Sequence, residues 1–369
     1  MEIVIVIFSI IALVYFCNIL WLILGFSKVK NFEVSDIFSK TKFTIIIPFR
    51  NEAENLPILL QSISMLDYPI DMFEVILVDD DSDFKFQILD FRFQINLINN
   101  FRTSNSPKKD AINTAIAFAK NDWIITTDAD CVMHPKWLKT FDHYIQENNC
   151  KMIAAGVFYK TSGSFLHHFQ QLDLLSLQGT TIGSFGNSKG FMCNGANFCY
   201  QKAFFHELNG FEGNSNIASG DDVFLLQKAI ANDPEAVRFL KSEMAIVETQ
   251  TMKTWRDLFF QRVRWASKTA NYTSFYAKQL GLSVFFMNFT WLLVTSFFLI
   301  EKVNISFFAF FTISKLLIDF ILLYRTSSFF KTSLRYLIFG SLVYPLFSVF
   351  VVLYSVFGKY EWKGRRFKK

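Results

Sequence analysis

Asp128 and Asp130 stand two residues apart at the end of an apolar, β-branched run, Trp123 to Thr127. Such a run reads as a buried strand, and in an extended chain alternate side chains share a face. Both carboxylates then point the same way, where their charges repel and burial is costly unless a cation lies between them. The spacing predicts a divalent-metal seat at the carboxyl edge of an α/β sheet, where ligands usually bind. The competing reading is a surface turn, because Asp-Ala-Asp is a short and common string.

Two more apolar runs end in polar clusters. Phe43 to Pro48 is a β run stopped by proline and followed by Arg50, Asn51 and Glu52, and Phe73 to Val78 leads into Asp79-Asp80-Asp81-Ser82. A guanidinium at Arg50 suits a phosphate or a carboxylate. Lys108 adds a point charge toward a phosphate or serves as a solvated loop charge. Gly220-Asp221-Asp222 precedes a helical apolar pattern, and two acids at a helix N-terminus are explained by the macrodipole alone. Gln261, Arg264 and Trp265, spaced i, i+3 and i+4 within a helical stretch from Thr254 to Ala277, share one face. That face also fits an interfacial belt. Cys193 to Asn197 is a glycine-bearing loop with no chemistry of its own, and the adjacent His167 and His168 read as packing or surface side chains.

The elements that would position these residues alternate along the chain. A helix over Asn55–Met65, capped by Asn51 or Asn55, and another over Asp110–Ala119 separate the strand runs, with Ile95–Ile98 as a third strand. Continuous apolar strands between helices predict a parallel sheet covered on both faces.

On either side of this polar middle the chain turns apolar. Of 369 residues, 51% are hydrophobic and 46 are Phe, and the mean hydropathy is +0.27. Met1–Phe26 is long enough to cross a hydrocarbon core of ~30 Å and lacks a signal-peptide cleavage pattern. Lys28 and Lys30 place its far end in the cytoplasm. Leu282–Ile300, Ile305–Tyr324 and Leu337–Phe357 are further apolar segments, the middle one carrying Lys315 and Asp319. An intramembrane charge pair is expensive, so that segment also reads as re-entrant or interfacial. Three full crossings would leave the basic tail, Lys359 to Lys369, outside, against the charge rule. Two crossings and one interfacial helix keep it inside. The net charge of +5 is largely this tail, which suits anionic headgroups and not nucleic acid. Five cysteines, an odd number without a Cys-x-x-Cys pair, indicate neither a disulfide framework nor a zinc site and fit a reducing cytoplasm.

In order and spacing the motifs resemble membrane-bound glycosyltransferases of family 2 with a GT-A fold. The matching stretches are Ile47-Pro-Phe-Arg-Asn-Glu52, Val78-Asp-Asp-Asp-Ser82, Lys108-Lys-Asp-Ala-Ile-Asn113 and Asp128-Ala-Asp130. Asn194-Gly-Ala-Asn197, Gly220-Asp-Asp222, Gln261-Arg-Val-Arg-Trp265 and Trp362-Lys-Gly-Arg365 follow. The resemblance covers about Phe43 to Trp265 and the membrane layout. It implies a Rossmann-like mixed α/β domain over 36–278 with amphipathic interface helices at its C-terminal end, an anchor over 1–26, membrane segments over 282–357 and a tail over 358–369. It implies that Pro48, Arg50 and Glu52 lie around base and ribose, Asp80 touches uridine, Lys108 sits near the donor nucleotide and Asp128 lies beside the diphosphate. Asp130 would hold the divalent cation (Mg²⁺ or Mn²⁺), and Asp222 would be the general base. Gln261 and Arg264 would face the diphosphate, with Trp265 beneath the acceptor. Two departures stand out: Asp81 replaces a usual glycine, so its turn is expected to differ, and Asp221 replaces the commoner glutamate.

The implied function is inverting transfer from a UDP-sugar to a lipid, lipid-linked or glycan acceptor, by a cytoplasmic domain at a bacterial inner membrane. A processive polysaccharide synthase is the alternative, with an accessory membrane subunit completing a channel. A non-catalytic scaffold that retains the fold is the third reading.

Overall fold

The computed structural model of the chain describes every residue except 1, 85–90, 216, 218, 359, 363–364 and 368–369. A long helix, α1 (Glu2–Lys28), precedes β1 (Phe43–Phe49), α2 (Leu56–Ser64), β2 (Phe73–Asp79), β3 (Gln94–Asn99), α3 (Pro107–Phe118) and β4 (Trp123–Thr126). Next come β5 (Val132–Met133), α4 (Trp137–Glu147), β6 (Met152–Ala155), β7 (Val157–Lys160), α5 (Phe165–Gly186), β8 (Phe198–Gln201) and α6 (Lys202–Glu207). After α7 (Asp221–Asn232), β9 (Val237–Leu240) and β10 (Val247–Gln250) the chain is helical through α8 (Trp255–Ser267), α9 (Phe275–Leu299), α10 (Ile305–Phe329) and α11 (Leu337–Phe357). A short hairpin, β11 (Tyr360–Trp362) and β12 (Arg365–Phe367), follows.

These elements sort into two units that do not follow chain order. Val29–Lys160 and Gly190–Gln250 make one; Met1–Lys28, Thr161–Lys189 and Thr251–Lys369 make the other. The first unit is built on a seven-stranded sheet in the order β3-β2-β1-β4-β8-β6-β9. β3, β2, β1 and β4 are parallel, while β8 runs antiparallel to both β4 and β6. The sheet is therefore mixed. Its side chains Ile45, Ile47, Val75, Leu77 and Ile125 pack with Leu59 and Leu60 of α2 and Trp137 and Phe141 of α4 in one apolar core. Each such aliphatic burial stabilises by roughly 1.5–3 kcal/mol. Proline does not end β1 as the sequence suggested: the strand runs to Phe49, and its pairing with β4 ends at Ile46, two residues before Pro48. A three-stranded sheet, β5-β10-β7, completes the unit.

The second unit gathers four helices, α1, α9, α10 and α11, that are long and apolar enough to cross a membrane. α10 is continuous over 25 residues, so its length suits a crossing. The helical stretch expected from Thr254 to Ala277 is broken: α8 ends at Ser267, a 3₁₀ turn spans Lys268–Asn271, and α9 begins at Phe275.

α5 joins these helices although it lies between two strands of the other unit in sequence. Small residues explain how it packs. A Cβ built on Gly183 would lie 2.4 Å from the Leu22 carbonyl oxygen of α1, and one on Gly25 would lie 2.1 Å from that of Gly183. Gly179, one turn earlier, meets Thr326 of α10. This is the small-residue spacing by which apolar helices bring their backbones together. Gly183→Val is expected to destabilise the detergent-solubilised protein by about 1–3 kcal/mol, the usual cost of overpacking, read as a lower unfolding temperature. An unchanged temperature would show that α1 and α5 do not pack this closely.

Candidate functional site

The first unit brings the expected residues together at the carboxyl ends of β1, β2 and β4. β4 ends at Thr126, so Asp128 and Asp130 lie beyond the strand, and the Cys131 N–H donates to the Asp128 carbonyl at 3.2 Å. The extended-chain alternation expected of them does not apply. Asp128 Oδ1 accepts from Lys108 Nζ at 2.7 Å, whereas Asp130 Oδ2 accepts from Thr249 Oγ1 at 3.0 Å. The turn gives the two carboxylates separate partners, yet their charges remain coupled. Burial, then the charges of Asp128 and Glu52, push the Asp130 carboxyl up to about 6.

Lys108 is the hub. Its ammonium lies 2.7 Å from Asp128 and 3.3 Å from Asp221. Burial pulls it down, but Asp128, Asp221 and Asp222 outweigh burial and hold it above the usual lysine range. It stays a fixed cation. Asp222 takes a different environment: Oδ2 accepts from the Gly195 N–H at 3.0 Å and Oδ1 from the Val223 N–H at 2.7 Å. The helix it opens is entered through Gly220 at φ 84°, a left-handed conformation suited to glycine.

Gly195, in a loop read as having no chemistry of its own, is where these groups close. A Cβ there would lie 2.9 Å from Asp221 Oδ2, 3.3 Å from Lys108 Nζ and 3.4 Å from Asp222 Cβ. The neighbouring Asn197 anchors the loop, donating to the Gly156 and Ala245 carbonyls at 2.8 and 2.7 Å and accepting from the Trp137 indole at 3.1 Å. Gly195→Ala is therefore expected to lower turnover at least tenfold while the protein stays folded, because the methyl group pushes on Lys108 and both acids. Wild-type turnover in that variant would show that the cluster tolerates displacement.

The other strand ends are linked to this cluster. Arg50 donates to the Asp80 carbonyl at 3.2 Å. The buried Asp80 carboxylate accepts from Asn100 at 2.7 Å and from Arg102 at 3.1 Å. Asn100 also donates to the Pro107 carbonyl at 3.0 Å, next to Lys108. Glu52 accepts from Asn55 Nδ2 at 2.6 Å, so Asn55 stands at the start of α2 without a side-chain cap bond. Asp81, expected to reshape its turn, sits at φ 64°. That is the conformation a glycine would supply, and aspartate tolerates it better than most residues.

Among the described residues no three His, Cys, Asp or Glu side chains form a ready cage for a metal ion. The donor chemistry still fits a cation shared with a ligand. Mg²⁺ and similar ions take one or two carboxylates, with substrate phosphates completing the shell. Asp130, pressed by two neighbouring carboxylates, is such a donor.

Gln261, Arg264 and Trp265 lie on α8 of the second unit. A residue not singled out from sequence, Arg262, touches two of them, Gln261 and Trp265. Its guanidinium sits 4.2 Å from the Trp265 ring centroid, it bonds to the Gln261 side chain, and it pairs with Asp173 of α5 at 2.5 Å. The signal was present, because Asp173 is the one acidic residue in α5. Of the Trp362–Arg365 motif, 363 and 364 lie outside the described residues.

The profile described as Glycosyl transferase family 2 matches residues 44–208. Over 115 residues (30% of this chain) the sequence is 29% identical to the poly(ribitol-phosphate) β-N-acetylglucosaminyltransferase TarS of Staphylococcus aureus. The match spans about a fifth of the length of these curated relatives, 20%. Among solved structures, a mannosyltransferase, PcManGT from Pyrobaculum calidifontis, in complex with GDP-Man and Mn²⁺, is similar with a TM-score of 0.55 and 16% identity. That similarity covers 96% of this chain and 99% of the other. S. aureus TarS 1-349 in complex with UDP-GlcNAc aligns at a TM-score of 0.43 and 17% identity, over 88% and 95% of the two chains. Residues 44–208 thus match the glycosyl transferase family 2 profile, and the chain shares the fold of a solved glycosyltransferase of the GT-A type.

Proposed function

We propose that the protein transfers a sugar with inversion from a UDP-sugar to a lipid, lipid-linked or glycan acceptor at the cytoplasmic face of a bacterial inner membrane. The observation that carries this reading is the closed set of Lys108, Asp128, Asp221 and Asp222 around Gly195, with Asp130 beside it. A departing nucleoside diphosphate develops negative charge, which Lys108 is placed to meet. Asp130 would hold a Mg²⁺ or Mn²⁺ ion, which when bound neutralises that charge further. Asp221 lies 3.3 Å from Lys108, and Asp222, the second acid of the pair, would take the acceptor hydroxyl proton, as the family resemblance implies. One base and no placed nucleophile imply a single displacement and hence inversion.

Arg50, Glu52, Pro48 and Asp80 serve the nucleotide in this reading. Gln261, Arg264 and Trp265 act on diphosphate and acceptor, as the family resemblance implies. Lys28 and Lys30 at the end of α1 support the cytoplasmic assignment. The relative's name makes UDP-N-acetylglucosamine the first donor to try. Four apolar helices favour a single transfer over a channel-forming synthase, since a translocating path needs several spans packed around it.

The test is UDP release from a panel of UDP-sugars by detergent-purified protein supplied with bacterial lipids, with Mn²⁺ and with EDTA. The expected result is release from one donor that requires the metal. Equal release in EDTA, or none from folded protein, would contradict the reading. Because Asp130 must lose its proton to bind a cation, Mn²⁺ affinity is expected to weaken as the pH falls through about 6. Mn²⁺-induced thermal shifts at pH 5, 6 and 7.5 would read this, and a pH-independent shift would place the ion elsewhere.

A further inference from the structure

Asp173 of α5 and Arg262 of α8 are both buried, and the Arg262 Nε donates to Asp173 Oδ2 at 2.5 Å. One face of the same guanidinium covers the Trp265 indole, with its carbon 4.2 Å from the ring centroid. It also donates to the side-chain oxygen of Gln261. Nearby, Gln170 of α5 clasps the segment leading into α8 from both sides. Its Nε2 donates to the Met252 carbonyl at 3.0 Å, and its Oε1 accepts from the Met252 N–H at 2.7 Å.

A buried ion pair is a poor way to gain stability, because desolvation offsets most of the attraction and an apolar pair would hold two helices as well. Orientation is what it supplies. A planar guanidinium can present an edge to a carboxylate and a face to an indole at once, which a lysine cannot. Two of the three family-motif side chains on α8 are thereby touched by one arginine, and that arginine pairs with Asp173.

We propose that Asp173 and Arg262 are positioning residues for sugar transfer, holding Trp265 and Gln261 in their working orientation. This rests on the reading that Trp265 and Gln261 serve the reaction. The pair acts from behind, on side chains and not on substrate. Removing Asp173 leaves Arg262 without its carboxylate, and the indole then loses the fixed plane against which it packs.

The test combines turnover with a local probe. In Asp173→Asn, kcat with the UDP-sugar selected by the donor panel is expected to fall about ten- to a hundredfold, the scale of an ångström-level misplacement. The donor KM is expected to change less than kcat, because Trp265 faces the acceptor while Arg50, Glu52 and Asp80 still hold the nucleotide. Asp173→Glu is expected to recover most of the loss, and Arg262→Lys little of it. Trp265 emission, isolated as the difference between parent and Trp265→Phe, is expected to become more accessible to acrylamide in Asp173→Asn.

Wild-type kcat and quenching in folded Asp173→Asn would overturn the proposal. So would a loss explained wholly by a smaller folded fraction. If Trp265→Ala itself retained full kcat, the reading beneath would fail. If Trp265→Ala lost activity while Asp173→Asn did not, only the positioning role would fail.

Discussion

Asp222→Asn is expected to lower kcat by about a hundred- to ten-thousandfold, the range supplied by a positioned general base. UDP binding in the presence of Mn²⁺ should stay within about twofold, because the change leaves Lys108, Asp128 and Asp130 in place. The physical basis is the division of labour between two adjacent acids. Asp221 is 3.3 Å from the Lys108 ammonium, while Asp222 accepts from the Gly195 and Val223 backbone N–H groups. Asparagine keeps the shape but can accept with one oxygen where aspartate uses two, so a stability loss of about 1 kcal/mol accompanies the change. Turnover and UDP affinity measured on the same preparation separate these effects. Full activity in the variant would remove Asp222 from the chemistry, and a parallel loss of UDP binding would make its role one of assembly.

The second large effect concerns the apolar helices. Lys315 and Asp319 of α10 pair at 2.7 Å with Lys315 fully enclosed, and the Tyr15 hydroxyl of α1 donates to the other Asp319 oxygen at 2.5 Å. Each charge has its partner, so the cluster is tolerated, and removing one partner strands the other. Asp319→Leu is expected to cost about 3–5 kcal/mol, because it leaves an uncompensated buried ammonium. The double variant Lys315→Met with Asp319→Leu is expected to recover most of that loss, falling short by about 1–3 kcal/mol for the Tyr15 hydroxyl left without its acceptor. Unfolding in detergent, compared across both single variants and the double variant, gives the coupling. A double variant as unstable as the single ones would show that the pair is held by more than mutual compensation.

Much of the site could be read from the chain because its carboxylates follow apolar runs whose pattern marks strand ends. The β4 run ends in Asp128 and Asp130, the β2 run in Asp80, and the β1 run in Arg50 and Glu52. What escaped the sequence was set by tertiary context. The Asp128–Asp130 geometry depends on where β4 stops, which one residue of pairing decides. The antiparallel direction of β8 cannot be seen in four residues, Phe198 to Gln201. Gly195 looks like any loop glycine until Lys108 and two acids approach it. α5 reads as part of the polar middle, and the close approaches of Gly183 to α1 and of Gly179 to α10 join it to the apolar helices. Asp81 was expected to alter its turn, but φ is a backbone property that a substituted side chain can still adopt.

The claim that a cation and a nucleotide meet at Asp130 can be tested without knowing the acceptor. Calorimetric titration of UDP into the purified protein, with Mn²⁺ and with EDTA, should be run on the wild type, Asp130→Asn and Asp222→Asn. The account expects metal-dependent binding to the wild type and Asp222→Asn, and little binding to Asp130→Asn. UDP binding that ignores EDTA, or that persists unchanged in Asp130→Asn, would contradict it.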